Sequence, residues 1–446
     1  MNNRGEFSSR LGFILAAAGS AVGLGNIWGF PTQVASNGGA AFVVVYLILA
    51  FVLAYPVLMA ELVIGRATRS NTADAFEKIT GKKWSRGVGF WGFVTVSLIL
   101  SFYAIVAGWM ISYCLKALTD IAGLTDISQW LSAFSDSRNS IFSAIFIVLT
   151  AGIVVGGVSN GIEKWSVRLM PTLFVIIAIL IVYVATLDGA QAGLEAYLSP
   201  DFSAVFSTEL LISAMGQAFF SMSLGVGTML VYASYVNDKE NLPVLGASVA
   251  LVDIGVAILA GLLIIPAMYV ALHNGVEIFN ESGGLINGDQ LILTVLPALF
   301  ETMGSIGNII ALAFFALMVI ASLTSSISML EVPVSYVVED TSLSRPKAVW
   351  LIAGIIMAIS ITIALNFDAL FVLVVSITTE YSQPILGLIL CVFVGWLWNR
   401  NSKLQELKKG YEDIESSLFW KIWPTYVKFV CPIVILLMFV RSVLNP

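Results

Sequence analysis

Asp253 is the only Asp, Glu, Lys or Arg between Leu242 and Leu272. A carboxylate in the middle of an apolar helix costs about 2.5 to 3.5 kcal/mol on membrane-insertion scales, so it is either functional or protonated and bonded to a neighbour. Ala321, Thr324 and Ser325 stand at i, i+3 and i+4 and share one helix face, where a carbonyl and two hydroxyls suit a desolvated monovalent cation. Taken alone, such a Thr-Ser pair would bond back to the preceding turn. Two further segments, Gly19-Ser20-Ala21-Val22-Gly23-Leu24-Gly25-Asn26 and Ser221-Met222-Ser223-Leu224-Gly225-Val226-Gly227-Thr228, carry Gly-x-Gly among small and hydroxyl residues. Broken there, a helix presents freed amides with partial positive charge and freed carbonyls with partial negative charge. The first suits a carboxylate, the second a small cation. The single histidine, His273, and the three cysteines, Cys114, Cys391 and Cys431, lack metal-ligand spacing, which leaves no His/Cys metal site or disulfide framework.

The elements that position these residues follow from composition. Of 446 residues, 58% are hydrophobic and only 11% are charged, against about 25% charged in a soluble domain. A soluble enzyme is excluded, and a net charge of −6 argues against a nucleic-acid partner. The partner is a lipid bilayer, and no segment signals an obligatory protein partner. A helix crosses it with about 20 apolar residues. Stretches free of Asp, Glu, Lys and Arg run from Leu11 to Ala60 (two spans, turning at Asn37-Gly38-Gly39), Gly87 to Leu115, Asn139 to Ile162, Leu169 to Leu187, Leu210 to Asn237 and Thr302 to Leu330. Leu242 to Leu272 and Ala369 to Asn399 hold one acid each, Asp253 and Glu380, and Ala348 to Phe367 and Phe419 to Val440 complete an expected set of eleven helices.

With the amino terminus cytoplasmic, the inner segments collect Arg4, Arg10, Arg66, Arg69, Lys78, Lys82, Lys83, Arg86, Lys164, Arg168, Lys239, Arg345, Lys347, Arg400, Lys403, Lys408, Lys409 and Lys421, most of the 22 basic residues. Outer segments carry acids such as Asp120, Asp188, Glu209 and Glu277. The positive-inside bias therefore orients the chain in a plasma (inner) membrane, with Pro446 outside. Unwound backbone at bilayer depth survives only if buried in protein or lining a cavity. Matched interruptions in the first and sixth spans point to a secondary transporter with its site between them.

Arg10-Leu11-Gly12-Phe13, Gly23-Leu24-Gly25-Asn26-Ile27-Trp28, Phe30-Pro31, Glu61 with Gly65-Arg66, Gly161-Ile162-Glu163-Lys164, Tyr197-Leu198-Ser199-Pro200-Asp201-Phe202, Gly216-Gln217-Ala218-Phe219-Phe220-Ser221, Tyr232-Ala233-Ser234-Tyr235 and Leu323-Thr324-Ser325-Ser326 occur in that order over nearly the whole chain. In these the sequence resembles the neurotransmitter:sodium symporter family, in its bacterial LeuT-like branch. The resemblance implies an all-α membrane protein with a five-plus-five inverted repeat, broken helices 1 and 6, and one extra helix. One transporter domain would span 1–446, with helices 1–5 in 1–187, an outer loop at 188–208, helices 6–10 in 209–399, and a cytoplasmic segment with helix 11 in 400–446.

The resemblance further implies sodium-coupled amino-acid import by alternating access, with no enzymatic step and two sodium ions. Sodium site 1 would use Ala21, Asn26, Ser221, Asp253 and the substrate carboxylate. Sodium site 2 would use Gly19, Val22, Ala321, Thr324 and Ser325, and its meeting with the first-helix break favours an ion over back-bonding hydroxyls. The substrate carboxylate would sit on amides at Leu24 and Gly25 beside Tyr103, and the amino group at carbonyls near Phe220 and Ser223. Ile99, Tyr103, Phe220, Val226, Ser325 and Met329 would line an uncharged side-chain pocket, with Ala21 and Ser221 bordering it. Gly23 stands where amine carriers of the family place Asp, which points to an amino acid, neutral and hydrophobic. A small zwitterionic osmolyte, a β- or γ-amino acid, and a non-transporting membrane sensor stay open as alternatives.

Where chloride-dependent relatives carry a neutral Asn, and a Ser one turn later, this chain has Asp253 and Ala257, so chloride-independent transport is expected. Arg4 would pair with Glu339 or Asp340 and stack on Tyr235 as an inner gate. Gly29 replaces the Arg of an outer latch, which leaves Phe220 and Tyr103 as a lid. Glu61 would brace the broken sixth helix. Gly161 and Pro171 enclose a segment at the cytoplasmic start of the fifth helix that would unwind to open a water path to sodium site 2.

Overall fold

The computed structural model describes residues 5–199, 205, 207–279 and 291–444. It is helical throughout: α1 (Arg10–Ala21), α2 (Gly25–Ser36), α3 (Ala40–Thr68), α4 (Thr72–Thr80), α5 (Lys83–Ile121), α6 (Thr125–Ser132), α7 (Asp136–Val154), α8 (Val158–Ala185), α9 (Ala190–Leu198), α10 (Thr208–Ser221), α11 (Thr228–Ala233), α12 (Leu242–His273), α13 (Ile292–Thr302), α14 (Ser305–Asp340), α15 (Arg345–Leu365), α16 (Phe367–Leu397), α17 (Arg400–Lys408) and α18 (Leu418–Leu444). Among the described residues, nine helices are long and apolar enough to cross a membrane, and the bent pair α1–α2 makes a tenth. The remaining apolar stretch of the expected eleven forms two helices, α10 and α11, each too short to cross alone.

Local chemistry sets the helix ends. Ser9, Ser207 and Asn241 cap α1, α10 and α12 by accepting the amides of Gly12, Leu210 and Val244. The α1 helix stops because Val22 is extended (φ −71°, ψ 103°), and α2 leaves at 54° to it. Between α10 and α11 the chain turns through positive φ at Ser223 (52°), Gly225 (86°) and Gly227 (82°). Ser223 bears the strain of an L-residue there, and the glycines do not.

The short helices are held inside a ring of long ones. The α1 helix packs between α8, α12 and α14, α11 lies on the second half of α3, and α10 lies on its first half. At Gly65 a β-carbon would come within 2.0 Å of the Leu230 carbonyl, so α3 and α11 meet backbone to backbone. The unwound segments are consequently buried in protein, as the bilayer demands. The α8 helix runs unbroken through Gly161 and Pro171, so the segment expected to unwind is wound in this structure.

Candidate functional site

The first break, the end of α10 and the middle of α12 converge on Asp253, which is fully buried. The Asn26 side-chain amide donates to Asp253 Oδ1 (2.7 Å), the Asp253 carbonyl (3.1 Å) and Ser221 Oγ (3.0 Å). Ser221 Oγ donates to Asp253 Oδ2 at 2.8 Å, and the Gly23 amide donates to Asn26 Oδ1 at 3.2 Å. Two neutral donors thus hold the carboxylate, and among the described residues no basic side chain pairs with it. Ionised, a buried carboxylate with only neutral partners would need a counter-charge, and a small cation suits that role. Ala21, the fourth expected ligand, lines the adjacent cavity with Ser221.

The second expected cation set lies across α1 and α14. Thr324 Oγ1 donates to the Ala321 carbonyl (3.0 Å) and the Ile320 carbonyl (3.2 Å), as back-bonding hydroxyls do. Ser325 Oγ instead crosses to the Ser20 carbonyl in α1 (3.0 Å), which also accepts Ser223 Oγ (3.2 Å). Gly19 lies against Thr324, since a β-carbon there would come to 3.0 Å from its Cβ, and Val22, at the end of α1, is fully buried. The two hydroxyls keep acceptor lone pairs, so their oxygens and the carbonyls of the break fit a cation that needs no protein charge.

All twelve expected substrate residues, Ala21, Gly23, Leu24, Gly25, Ile99, Tyr103, Phe220, Ser221, Ser223, Val226, Ser325 and Met329, line one cavity. None of its lining side chains is charged. The Leu24 amide donates to the Tyr103 hydroxyl at 3.4 Å, which leaves that phenol proton for another acceptor. Phe220 reaches over Gly25, where a β-carbon would meet its ring at 3.1 Å, and is 41% exposed at the rim. Glu61 takes the freed amides of Gly225 (2.6 Å) and Leu230 (3.2 Å) and so braces the break between α10 and α11.

Four lining residues escaped the sequence reading: Val96, Phe102, Thr228 and Gln383. Gln383 donates to the Leu224 carbonyl at 3.0 Å, and its Oε1 is buried without a partner among the described residues. Gln217 similarly ties α10 to the Gly25 carbonyl at 2.9 Å. Their signal in the sequence was an uncharged polar side chain inside an apolar run.

Arg4, expected in the inner gate, lies outside the described residues. The Tyr235 hydroxyl donates to Glu331 Oε1 at 2.7 Å, and Arg345 pairs with the same carboxylate at 2.5 Å. Glu339 accepts the Asn71 amide and side chain at 2.8 and 3.0 Å, and Asp340 pairs with Arg86. Ser8 and Ser9 converge on Glu163 at the start of α8 with four hydrogen bonds of 2.7 to 3.1 Å. Arg69, past the end of α3, bridges Glu6 and Asp238 at 3.0 Å each. Burial would raise the Asp238 carboxyl, but Arg69 and Lys409 beside it hold it below its ordinary value. These contacts tie the basic end together around a cavity lined by Arg69, Tyr235, Glu339 and Arg345, and Phe220 is the most exposed aromatic side chain lining the uncharged cavity.

Comparison with known proteins agrees with this geometry. The profile of the sodium:neurotransmitter symporter family matches residues 4–135 and 123–446. The chain is 30% identical to an uncharacterized sodium-dependent transporter, YhdH, of Bacillus subtilis, over 98% of this chain and 97% of that one. It is 33% identical to an uncharacterized sodium-dependent transporter of Haemophilus influenzae, over 98% of both. The crystal structure of MhsT in complex with L-phenylalanine superposes with a TM-score of 0.84 at 36% identity, covering 99% of this chain and 100% of that one.

Proposed function

The chain belongs to the sodium:neurotransmitter symporter family, a family of transporters and not of enzymes, and from that premise we propose that it imports a neutral, hydrophobic amino acid with sodium by alternating access, without a chloride requirement. One observation carries the reading: an uncharged cavity sits between two helix breaks, with the buried Asp253 carboxylate, held by Asn26 and Ser221, at its edge. A zwitterion fits it, its carboxylate toward the Leu24 and Gly25 amides and Tyr103, its amino group toward the carbonyls near Phe220 and Ser223. The L-phenylalanine bound by MhsT supports a large apolar side chain.

Two sodium ions are cargo here. The first takes Ala21, Asn26, Ser221, Asp253 and the substrate carboxylate, and the second takes Gly19, Val22, Ala321, Thr324 and Ser325. Because substrate and the first ion share a ligand, each raises the affinity for the other. Asp253 supplies in fixed form the negative charge that chloride would otherwise bring. The basic end faces the cytoplasm, the two five-helix repeats form one domain with eleven spans, and Pro446 lies outside. Closure at Tyr235, Glu331, Arg345, Glu339 and Asp340 corresponds to loading from outside. Unwinding between Gly161 and Pro171 then opens the inner path.

Proteoliposomes test this directly. Labelled phenylalanine should accumulate against its gradient only with inward sodium, and uptake should persist when gluconate replaces chloride. Hydrophobic amino acids should compete, whereas a zwitterionic osmolyte should not. Binding without accumulation would mark a sensor, and abolition by gluconate would remove the role given to Asp253.

A further inference from the structure

At the basic end, the last turn of α16, the start of α17 and the first half of α18 bring Arg400, Lys403 and Lys428 together around two indoles. The Lys428 ammonium lies 4.3 Å from the Trp396 ring centroid and 5.3 Å from that of Phe429. The Trp396 indole N–H donates to the Lys428 carbonyl at 3.1 Å, and a β-carbon on Gly395 would come within 2.7 Å of the Lys428 Cα, so the backbones touch. The Arg400 guanidinium lies 5.5 Å from the Trp420 ring centroid. Lys403 is buried, 3% exposed, and its ammonium donates to the Val394 carbonyl at 2.5 Å. Lys421 is exposed seven residues, about two turns, before Lys428, on the same stripe of α18.

No carboxylate pairs with any of these four among the described residues, although their neighbours are paired. Lys408 binds Glu415 at 2.6 Å, and Lys409 binds Glu406 at 2.8 Å and Asp238 at 3.5 Å. Burial first, then repulsion from Lys428 and Arg400, lowers the Lys403 ammonium to about 8. Carbonyls and rings solvate these cations, but they do not cancel their charge.

We propose that Arg400 and Lys428, framed by Trp396 and Trp420 and backed by the buried charge of Lys403, bind the phosphate of an anionic lipid headgroup. A lipid suits the site better than free phosphate because Trp396, Leu397 and Phe429 are exposed beside the cations, by 56%, 44% and 45%, and offer acyl chains an apolar wall. Basic pockets between membrane helices at the cytoplasmic surface hold such headgroups. The leaflet assigned, the cytoplasmic one, rests on the orientation proposed above; the site itself does not.

The test uses the full chain in nanodiscs of phosphatidylglycerol mixed with phosphatidylcholine, with bound lipid counted by native mass spectrometry. Phosphatidylglycerol should be retained by the wild type and fall roughly ten- to thirty-fold in R400Q/K428Q. Phosphatidylcholine should not change, nor should retention by K164Q/R168Q, an exposed basic pair on α8. Charge-retaining K428R should keep the lipid. Equal retention by wild type and R400Q/K428Q would overturn the site, and displacement of the lipid by inorganic phosphate would overturn the lipid assignment in favour of a soluble anion. Thermal unfolding of the wild type needs no variant. Phosphatidylglycerol should raise its midpoint above that in phosphatidylcholine alone, and identical midpoints would count against the proposal.

Discussion

Asp253 is the residue on which the proposed ion coupling turns, and its surroundings explain how a carboxylate is kept there. Asn26 and Ser221 each give it a hydrogen bond, and both are themselves buried. Removing the charge while keeping the shape separates the roles. In D253N, sodium-driven uptake in gluconate should fall at least about ten-fold, equivalent to ~1.4 kcal/mol, and should recover in part when chloride is restored. Uptake that never depends on chloride would show that the negative charge is dispensable. Glu61 makes a similar case, because its two oxygens take two freed amides. E61Q leaves one of them facing a donor, so substrate affinity should weaken by about 1 to 3 kcal/mol in equilibrium binding. Both acids were legible in the sequence as charges inside apolar runs. Gln383 and Gln217 were not. A neutral amide costs less in a span than a charge, and their partners, Leu224 and Gly25, lie far away in sequence.

At the scale of elements, the Gly-x-Gly segments marked the neighbourhoods of the breaks but not their edges. Gly19 remains helical and α1 ends at Val22, whereas the second break occupies residues 222–227. Which residue leaves the helix depends on what receives its amides: Asn26 Oδ1 and the Tyr103 hydroxyl at the first break, and Glu61 on another helix at the second. The contact between α3 and α11 gives a sharper test. With the Leu230 carbonyl 2.0 Å from any β-carbon at Gly65, G65A must push α11 away. Overpacking of this kind costs about 1 to 3 kcal/mol, so the thermal midpoint should drop and substrate binding should fail. At Gly87, nothing lies within 4 Å of a β-carbon, and G87A should match the wild type in both measurements. Pro171 is accommodated inside α8 in this closed arrangement. P171A, by restoring a helical hydrogen bond, should slow inward release of sodium and leave outside binding intact; equal efflux rates would argue against unwinding there.

At the scale of the whole molecule, the amino-terminal segment is tied across the basic end. Ser8 and Ser9 dock on Glu163, the Phe7 amide donates to the Tyr235 carbonyl at 3.1 Å, and Glu6 pairs with Arg69. Opening that end must break these contacts together. E163A removes four hydrogen bonds to Ser8 and Ser9, and hydrogen exchange at their amides should speed up about ten-fold or more, with α12 unaffected. Unchanged exchange would mean that Glu163 does not hold the segment. The Arg345–Glu331–Tyr235 cluster could not be foreseen as a unit. In the sequence Glu331 merely ends the uncharged run from Thr302 to Leu330 and Arg345 is one of the inner basic residues; folding of α14 against α11 and α15 joined them.

By itself the sequence determined what depends on local chemistry and on the bilayer as solvent: helices, their apolar lengths, the two places where backbone hydrogen bonding lapses, and the intramembrane acids that demanded a partner. The family resemblance also named twelve of the residues that line the cavity, but not Val96, Phe102, Thr228 or Gln383. Only the tertiary structure decided the individual contacts: the Asn26 amide and the Ser221 hydroxyl on separate oxygens of Asp253, Glu61 on the amides of Gly225 and Leu230 in particular, the Gln383 amide on Leu224, and Lys428 on Trp396. Each of these joins groups far apart in the chain. Helical periodicity fixes the face a residue occupies on its own helix, but only packing against the other helices fixes what that face touches.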